Sequence, residues 1–144
     1  MAEFCPPPKF IKPKRPKSKA RQNGLSYERK AHKYTEEEFP ENAVISPWIK
    51  FQVQGEEDFL YCQPDALILD LRRSSITIIE IKLKHTSNAW WQVRRLYTPV
   101  VKHIFGTTWN YISIEMAKWF DPHTKFPEHF EFIDNIQEFP LLNS

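Results

Sequence analysis

Three ionisable residues carry the chemistry this sequence most directly offers. Asp65 follows Pro64 inside the largely apolar stretch Tyr61-Cys62-Gln63-Pro64-Asp65-Ala66-Leu67-Ile68-Leu69, and Glu80 and Lys82 close the run Ile76-Thr77-Ile78-Ile79-Glu80-Ile81-Lys82. An ionised carboxylate taken out of water needs a cation or several donors to compensate, so an acid at the end of an apolar strand is costly unless it holds something. Two carboxylates beside one lysine suit a hard divalent cation, Mg²⁺ or Mn²⁺, which takes one or two carboxylates together with waters and phosphate oxygens. Such an ion lowers the pKa of water and stabilises charge on a phosphate in transit. A neighbouring lysine ammonium orients the attacking water as a compact point charge. The plainer alternative is an ordinary ion pair between Glu80 and Lys82, two residues apart, with Asp65 bonded to a turn.

The elements that must position these groups follow from periodicity and punctuation. In a strand, Ile76, Ile78, Glu80 and Lys82 share one face and Thr77, Ile79, Ile81 and Leu83 the other. Both faces begin apolar, which predicts a central strand covered on two sides. Residues 59–71 read as the strand before it, joined through a loop at 72–75. Pairing symmetric about that loop sets Asp65 opposite Lys82 and one diagonal step from Glu80. Upstream, Asn23 to Phe39 reads as a helix capped by Asn23 or Ser26, with Pro40 beyond its end, and 44–53 reads as a strand that Pro47 makes edge-like or bulged. Downstream, Ser87 to Phe105 has helical spacing, with Pro99 expected to kink it and Gly106 to stop it. Residues 107–116 form a further strand, and a short one is expected near 128–133. The order is α-β-β-β-α-β: an α/β fold with a mixed central sheet flanked by helices.

Length and composition bound the rest. A chain of 144 residues, 41% hydrophobic and 15% aromatic, fits one domain with a real core and excludes full disorder. No uncharged apolar run approaches the roughly 18 residues of a membrane helix, and the first residues lack the apolar core of a secretory signal, so a cytoplasmic protein is expected. Two cysteines, Cys5 and Cys62, exclude a disulfide framework and a cysteine-held zinc or iron–sulfur site. The histidines at 32, 103, 123 and 129 show no metal-ligand spacing. Residues 1–22 hold seven basic groups against one acid, and five of the twelve prolines; the other 122 residues hold 13 basic and 17 acidic groups. The first segment therefore reads as an extended arm on a single domain spanning 23–144, its Lys12, Lys14, Arg15 and Lys17 placed to contact the phosphates of a nucleic acid. Lys84, Arg94 and Arg95 flank the acidic residues and are further candidates for phosphate contact.

Pro64-Asp65, fourteen intervening residues and Glu80-Ile81-Lys82 resemble the signature of the PD-(D/E)xK nuclease superfamily, and the element order resembles its restriction-endonuclease-like αβββαβ core. Gly24 through Glu28 resembles the first-helix motif of the RecB-like branch, in which a glutamate completes the metal site. Gln92 followed by Tyr97 resembles that branch's Q-x-x-x-Y motif, with the tyrosine at +5 and Leu96 at +4. One helical position turns a side chain by about 100°, which displaces Tyr97 from the place the motif gives its tyrosine. The resemblance covers about residues 23–114. It implies a Mg²⁺- or Mn²⁺-dependent deoxyribonuclease of DNA repair, recombination or phage DNA processing. Catalysis would fall to Asp65, Glu80, Lys82 and Gln92, and the ion to Glu28, Asp65, Glu80 and the main-chain carbonyl of Ile81. A Holliday-junction resolvase of the same fold, which needs two sites on a symmetric dimer, and a non-catalytic nucleic-acid-binding module are the competing readings. DNA is the expected partner, with a homo-oligomer or a larger replication or recombination complex as further possibilities.

Overall fold

A computed structural model of the chain describes residues 1–9, 19–84, 91–119 and 131–132. Its elements are β1 (Ala2–Cys5), α1 (Lys19–Glu38), β2 (Ala43–Ile45), β3 (Trp48–Phe51), β4 (Leu60–Cys62), β5 (Ala66–Asp70), β6 (Ser75–Lys84), a π-helical turn (Val93–Tyr97), α2 (Thr98–Phe105), β7 (Asn110–Trp119) and β8 (Glu131–Phe132). The protein is a mixed α/β structure with two sheets, ordered β2-β5-β6-β7-β8 and β1-β3-β4. In the larger sheet β6 and β7 run parallel and the other neighbours antiparallel. No described helix is long and apolar enough to cross a membrane.

Strand β6 lies at the centre and is buried on both faces, as its double apolar pattern demands. Ile76 and Ile78 pack with Leu67, Val93, Tyr97, Val100 and Val101. Ile79 and Ile81 pack on the opposite face with Tyr27 and Ala31 of α1, and with Ala66, Ile68, Ile114 and Met116. Burying an aliphatic side chain of this size is worth about 1.5–3 kcal/mol, so each face anchors one helical layer.

Two segments that read as single strands each divide between the sheets, and they divide side by side. The 44–53 stretch breaks at Ser46, whose φ of 48° is left-handed, and at Pro47, leaving β2 in the large sheet and β3 in the small one. The 59–71 stretch breaks at Gln63-Pro64-Asp65 into β4 and β5. The two breaks hold each other: Ser46 N–H donates to the Asp65 carbonyl at 2.9 Å, and Gln63 Nε2 donates to the Ser46 carbonyl at 3.0 Å. Asp65 therefore stands at a corner where two sheets part.

The first residues do not belong to an arm. Ala2–Cys5 pairs antiparallel with β3, and α1 begins at Lys19, four residues before the expected start. Lys12, Lys14, Arg15 and Lys17 lie outside the described residues.

The β5–β6 hairpin closes one residue earlier than symmetry about 72–75 predicts. Asp70 pairs with Ser75, and its Oδ1 accepts the Arg72 and Arg73 N–H groups at 3.1 and 3.2 Å, so the side chain substitutes for turn backbone. Ser74 takes a left-handed φ of 49° to finish the loop. Replacing Asp70 with Ala leaves these two N–H groups to water and should lower stability by about 1 kcal/mol. A urea melt measures this, and an unchanged midpoint would show that the side chain does not fix the turn.

Candidate metal centre

The shifted hairpin loop changes which residues meet. The register runs Ala66↔Ile79 through Asp70↔Ser75, so one further step puts Asp65 opposite Glu80, not opposite Lys82. The Asp65 Oδ2 accepts the Ile81 N–H at 2.6 Å, which pins the carboxylate against the central strand. Glu80 Oε1 lies 3.2 Å from Lys82 Nζ, as alternation along one strand face requires; the Glu80 side chain is 5% exposed and that of Lys82 39%. The surface ion pair is thus excluded as a description of Glu80: its carboxyl is buried, and its ammonium partner reaches toward solvent.

Helix α1 completes the group from the other layer. Tyr27 and Ala31 face the core, and the adjoining positions 28 and 32, one turn apart, reach toward the sheet corner. Ligand atoms of Glu28, His32 and Asp65 lie within 4.8 Å of one another, a separation that one cation can bridge. His32 was excluded on sequence spacing and is the main addition to the expected set. Its partner Asp65 is 33 residues away, so no linear motif exposes the pair. The Glu28–His32 spacing of one helical turn was the available signal.

The electrostatics are those of a site short of positive charge. Burial, and next the charge of Asp65, push the Glu80 carboxyl up to about 8 from an ordinary 4.5, against the pull of Lys82. Burial likewise raises Asp65, even though the Ile81 N–H favours its ionised form. Glu28 is raised by burial and by Asp65. Among the described residues no donor reaches the buried Glu80 Oε2, which leaves that oxygen to a proton shared with Asp65 or to a cation. His32 Nε2 is also buried and has no hydrogen-bond partner among the described residues. Unsatisfied buried acceptors on converging acids fit a divalent ion. One imidazole among carboxylates suits Mn²⁺ at least as well as Mg²⁺.

The other expected residues fall into three groups. Ile81 contributes its N–H to Asp65, a use not foreseen alongside the expected carbonyl. Gln92 is half-buried where the helix enters the π-helical turn, and no described contact joins its amide to the carboxylates. Arg95 is exposed and stacks on the Trp91 ring at 4.8 Å, whereas Arg94 is half-buried. Lys84 ends β6 opposite Trp119.

Tyr97 departs from expectation for a geometric reason. In a regular helix the fifth residue after Gln92 leaves its face, but Val93–Tyr97 is π-helical: Thr98 N–H bonds to Val93 O, five residues back. The wider turn absorbs one extra residue. Pro99 supplies a cause, since it has no N–H for the Arg95 carbonyl and its ring would clash with that group in an α-helix. Tyr97 is accordingly buried, and its hydroxyl is held well above the usual phenol range by burial and then by the charges of Glu80 and Asp65. The tyrosine that the spacing displaces is returned to the neighbourhood of the acids.

Comparisons with protein-family models, curated proteins and solved structures give no match to this chain.

Proposed function

We propose that the protein is a divalent-metal-dependent deoxyribonuclease, on the resemblance of Pro64-Asp65, Glu80-Ile81-Lys82 and the first-helix Glu28 to the PD-(D/E)xK superfamily and its RecB-like branch. The observation that carries the reading is the convergence of Glu28, His32, Asp65 and Glu80 from three elements around an acidic corner, with Lys82 beside it. Glu28, His32, Asp65 and Glu80 would hold Mg²⁺ or Mn²⁺. When bound, the ion would supply charge neutralisation at the scissile phosphate and a water acidic enough to attack near neutral pH.

The chain's own residues account for the remaining requirements. Asp65, fixed by Ile81 N–H, presents its carboxylate in one orientation. Lys82 reaches from the buried Glu80 toward solvent, where its ammonium orients the incoming water and offsets negative charge on the pentavalent phosphorus. The water oxygen bonds to phosphorus as its proton passes to solvent, the bond from phosphorus to one ester oxygen breaks, and the leaving oxygen takes a proton from solvent to end as a hydroxyl. Lys84, Arg94, Arg95 and the lysines and arginine at 12–17 are placed by sequence to hold the DNA backbone. Action on DNA would put the enzyme in the cytoplasm, a phage-infected host included.

Incubation with linear, circular, single-stranded and branched DNA in Mg²⁺, Mn²⁺ or EDTA tests the reading. Cleavage should require the ion and disappear in Asp65→Ala while DNA affinity changes little. Cutting of circles marks an endonuclease, and preference for branches marks a resolvase. Absence of cutting on every substrate, or full cutting by Asp65→Ala, removes the nuclease assignment; salt-sensitive binding without cutting leaves the binding module.

A further inference from the structure

The charges on helix α1 are sorted by sign along its axis, against the order that its own dipole favours. Tyr27, Ala31 and Thr35 bury one side of the helix, and Arg29 and Lys33 are exposed on the opposite side, with Lys30 exposed beside them. The last turn is acid: Glu36, Glu37 and Glu38 are exposed there with no basic residue among them, and the first turn holds no acid. A helix is negative at its C-terminal end, so carboxylates in the last turn repel the carbonyls around them. Arg29 and Lys33, four residues apart, add a like-charge pair on neighbouring turns. Both arrangements work against the helix, and proteins break such local rules at functional sites.

Arg29 and Lys33 also keep a fixed relation to the candidate metal centre. Glu28 and His32 of that group each precede one of them, so the two cations form a second line along the helix, about 100° round from the first. Lys33 meets Glu37 only at 3.9 Å, with side chains 78% and 65% exposed, a pair that water and salt screen. Among the described residues no ion pair involves Arg29. The line stands on a body where acids prevail, since beyond residue 22 the chain has 17 acidic and 13 basic groups.

We propose that the outward side of α1 is an electrostatic guide for the DNA backbone: Arg29 and Lys33, with Lys30 beside them, hold phosphates alongside Glu28 and His32, and Glu36, Glu37 and Glu38 repel the backbone from the far end of the helix. The inference deepens the nuclease reading and rests on it for the choice of DNA as the polyanion. Each phosphate placed on a cation releases condensed counterions, which favours the basic stretch, while the acid turn beyond it gives no such gain. Contacts of this kind fix position and carry no sequence information, so the guide sets where a duplex lies across the corner and leaves its bases unread.

Fluorescence anisotropy of a labelled DNA duplex, measured with the full chain in EDTA from about 50 to 200 mM NaCl, reads the guide without any need for cleavage. Arg29→Gln combined with Lys33→Gln should weaken binding about tenfold or more at the lowest salt, and make the slope of log K against log[salt] shallower by about 2. Arg29→Lys combined with Lys33→Arg keeps both charges and should bind within about twofold of wild type. Glu36→Gln combined with Glu38→Gln should tighten binding about threefold or more at low salt, an effect that fades as salt rises. Arg72→Gln combined with Arg73→Gln, exposed at the opposite end of β6, should leave the slope unchanged and separates the guide from overall charge. An unaltered slope in the Arg29–Lys33 glutamine pair, an equal loss in the Arg72–Arg73 pair, or no tightening in the Glu36–Glu38 pair overturns the proposal. If the slopes respond as expected and no substrate is cut, the guide stands on a binding module and the nuclease reading falls. If Asp65→Ala abolishes cleavage while the slopes do not respond, the nuclease reading stands without the guide.

Discussion

Glu80→Gln should make the metal-free protein more stable at pH 8 and remove metal-dependent cleavage altogether. The reasoning starts from burial. The folded Glu80 carboxyl titrates at about 8 and the unfolded one near 4.5. Between these values the folded protein keeps a proton that the unfolded chain has released, so folding takes up a proton and stability falls as pH rises. The loss is absent below about pH 4.5, grows through the window, and levels off above about 8. Each pH unit inside the window costs up to about 1.4 kcal/mol, and Asp65, raised in the same sense, adds to the trend. Urea melts in EDTA should therefore show wild type roughly 2–4 kcal/mol less stable at pH 8 than at pH 5. The glutamine variant should have a flatter profile. Mn²⁺ should restore wild type at pH 8 far more than at pH 5, because an ion replaces the proton, and should do little for the variant. Parallel pH profiles for the two proteins would show that Glu80 does not carry this cost.

The second large effect is expected at Lys82. Lys82→Ala should lower cleavage by at least about a hundredfold while Mn²⁺ binding stays within a few-fold of wild type, since the ammonium is 3.2 Å from Glu80 but is no ligand. Lys82→Arg should not rescue the rate. A guanidinium spreads its charge over a planar fork and cannot be placed as a point donor to one water. Single-turnover cleavage with saturating Mn²⁺ separates this from weak ion binding. Rescue by arginine would mean that Lys82 contributes charge alone.

Much of this site was legible because β6 obeys the period-two rule on both faces. Once Ile76 to Ile81 is placed at the centre of a sheet, Glu80 and Lys82 must share a face, and they do. What was not legible depended on contacts between distant segments. The division of 44–53 and 59–71 between two sheets appears in sequence only as Pro47 and Pro64 within apolar runs, and a proline alone does not distinguish a bulge from a change of sheet. The hairpin register turned on one side chain, Asp70, capping its own loop. His32 joins the acids through packing of α1 that no local spacing encodes. Tyr97 needed a backbone wider than the α-helix assumed for it.

The parting of the sheets at residue 65 has a practical outcome for anyone handling the protein. The β1-β3-β4 sheet is held on one side by the first five residues, and its last strand runs straight into Pro64-Asp65. Trimming those residues, or fusing a bulky tag onto Met1, strips or crowds one of its three strands. The disturbance would pass along β3 and β4 to the corner at Pro64-Asp65, so a change at the aspartate is expected from an alteration made sixty residues away in sequence.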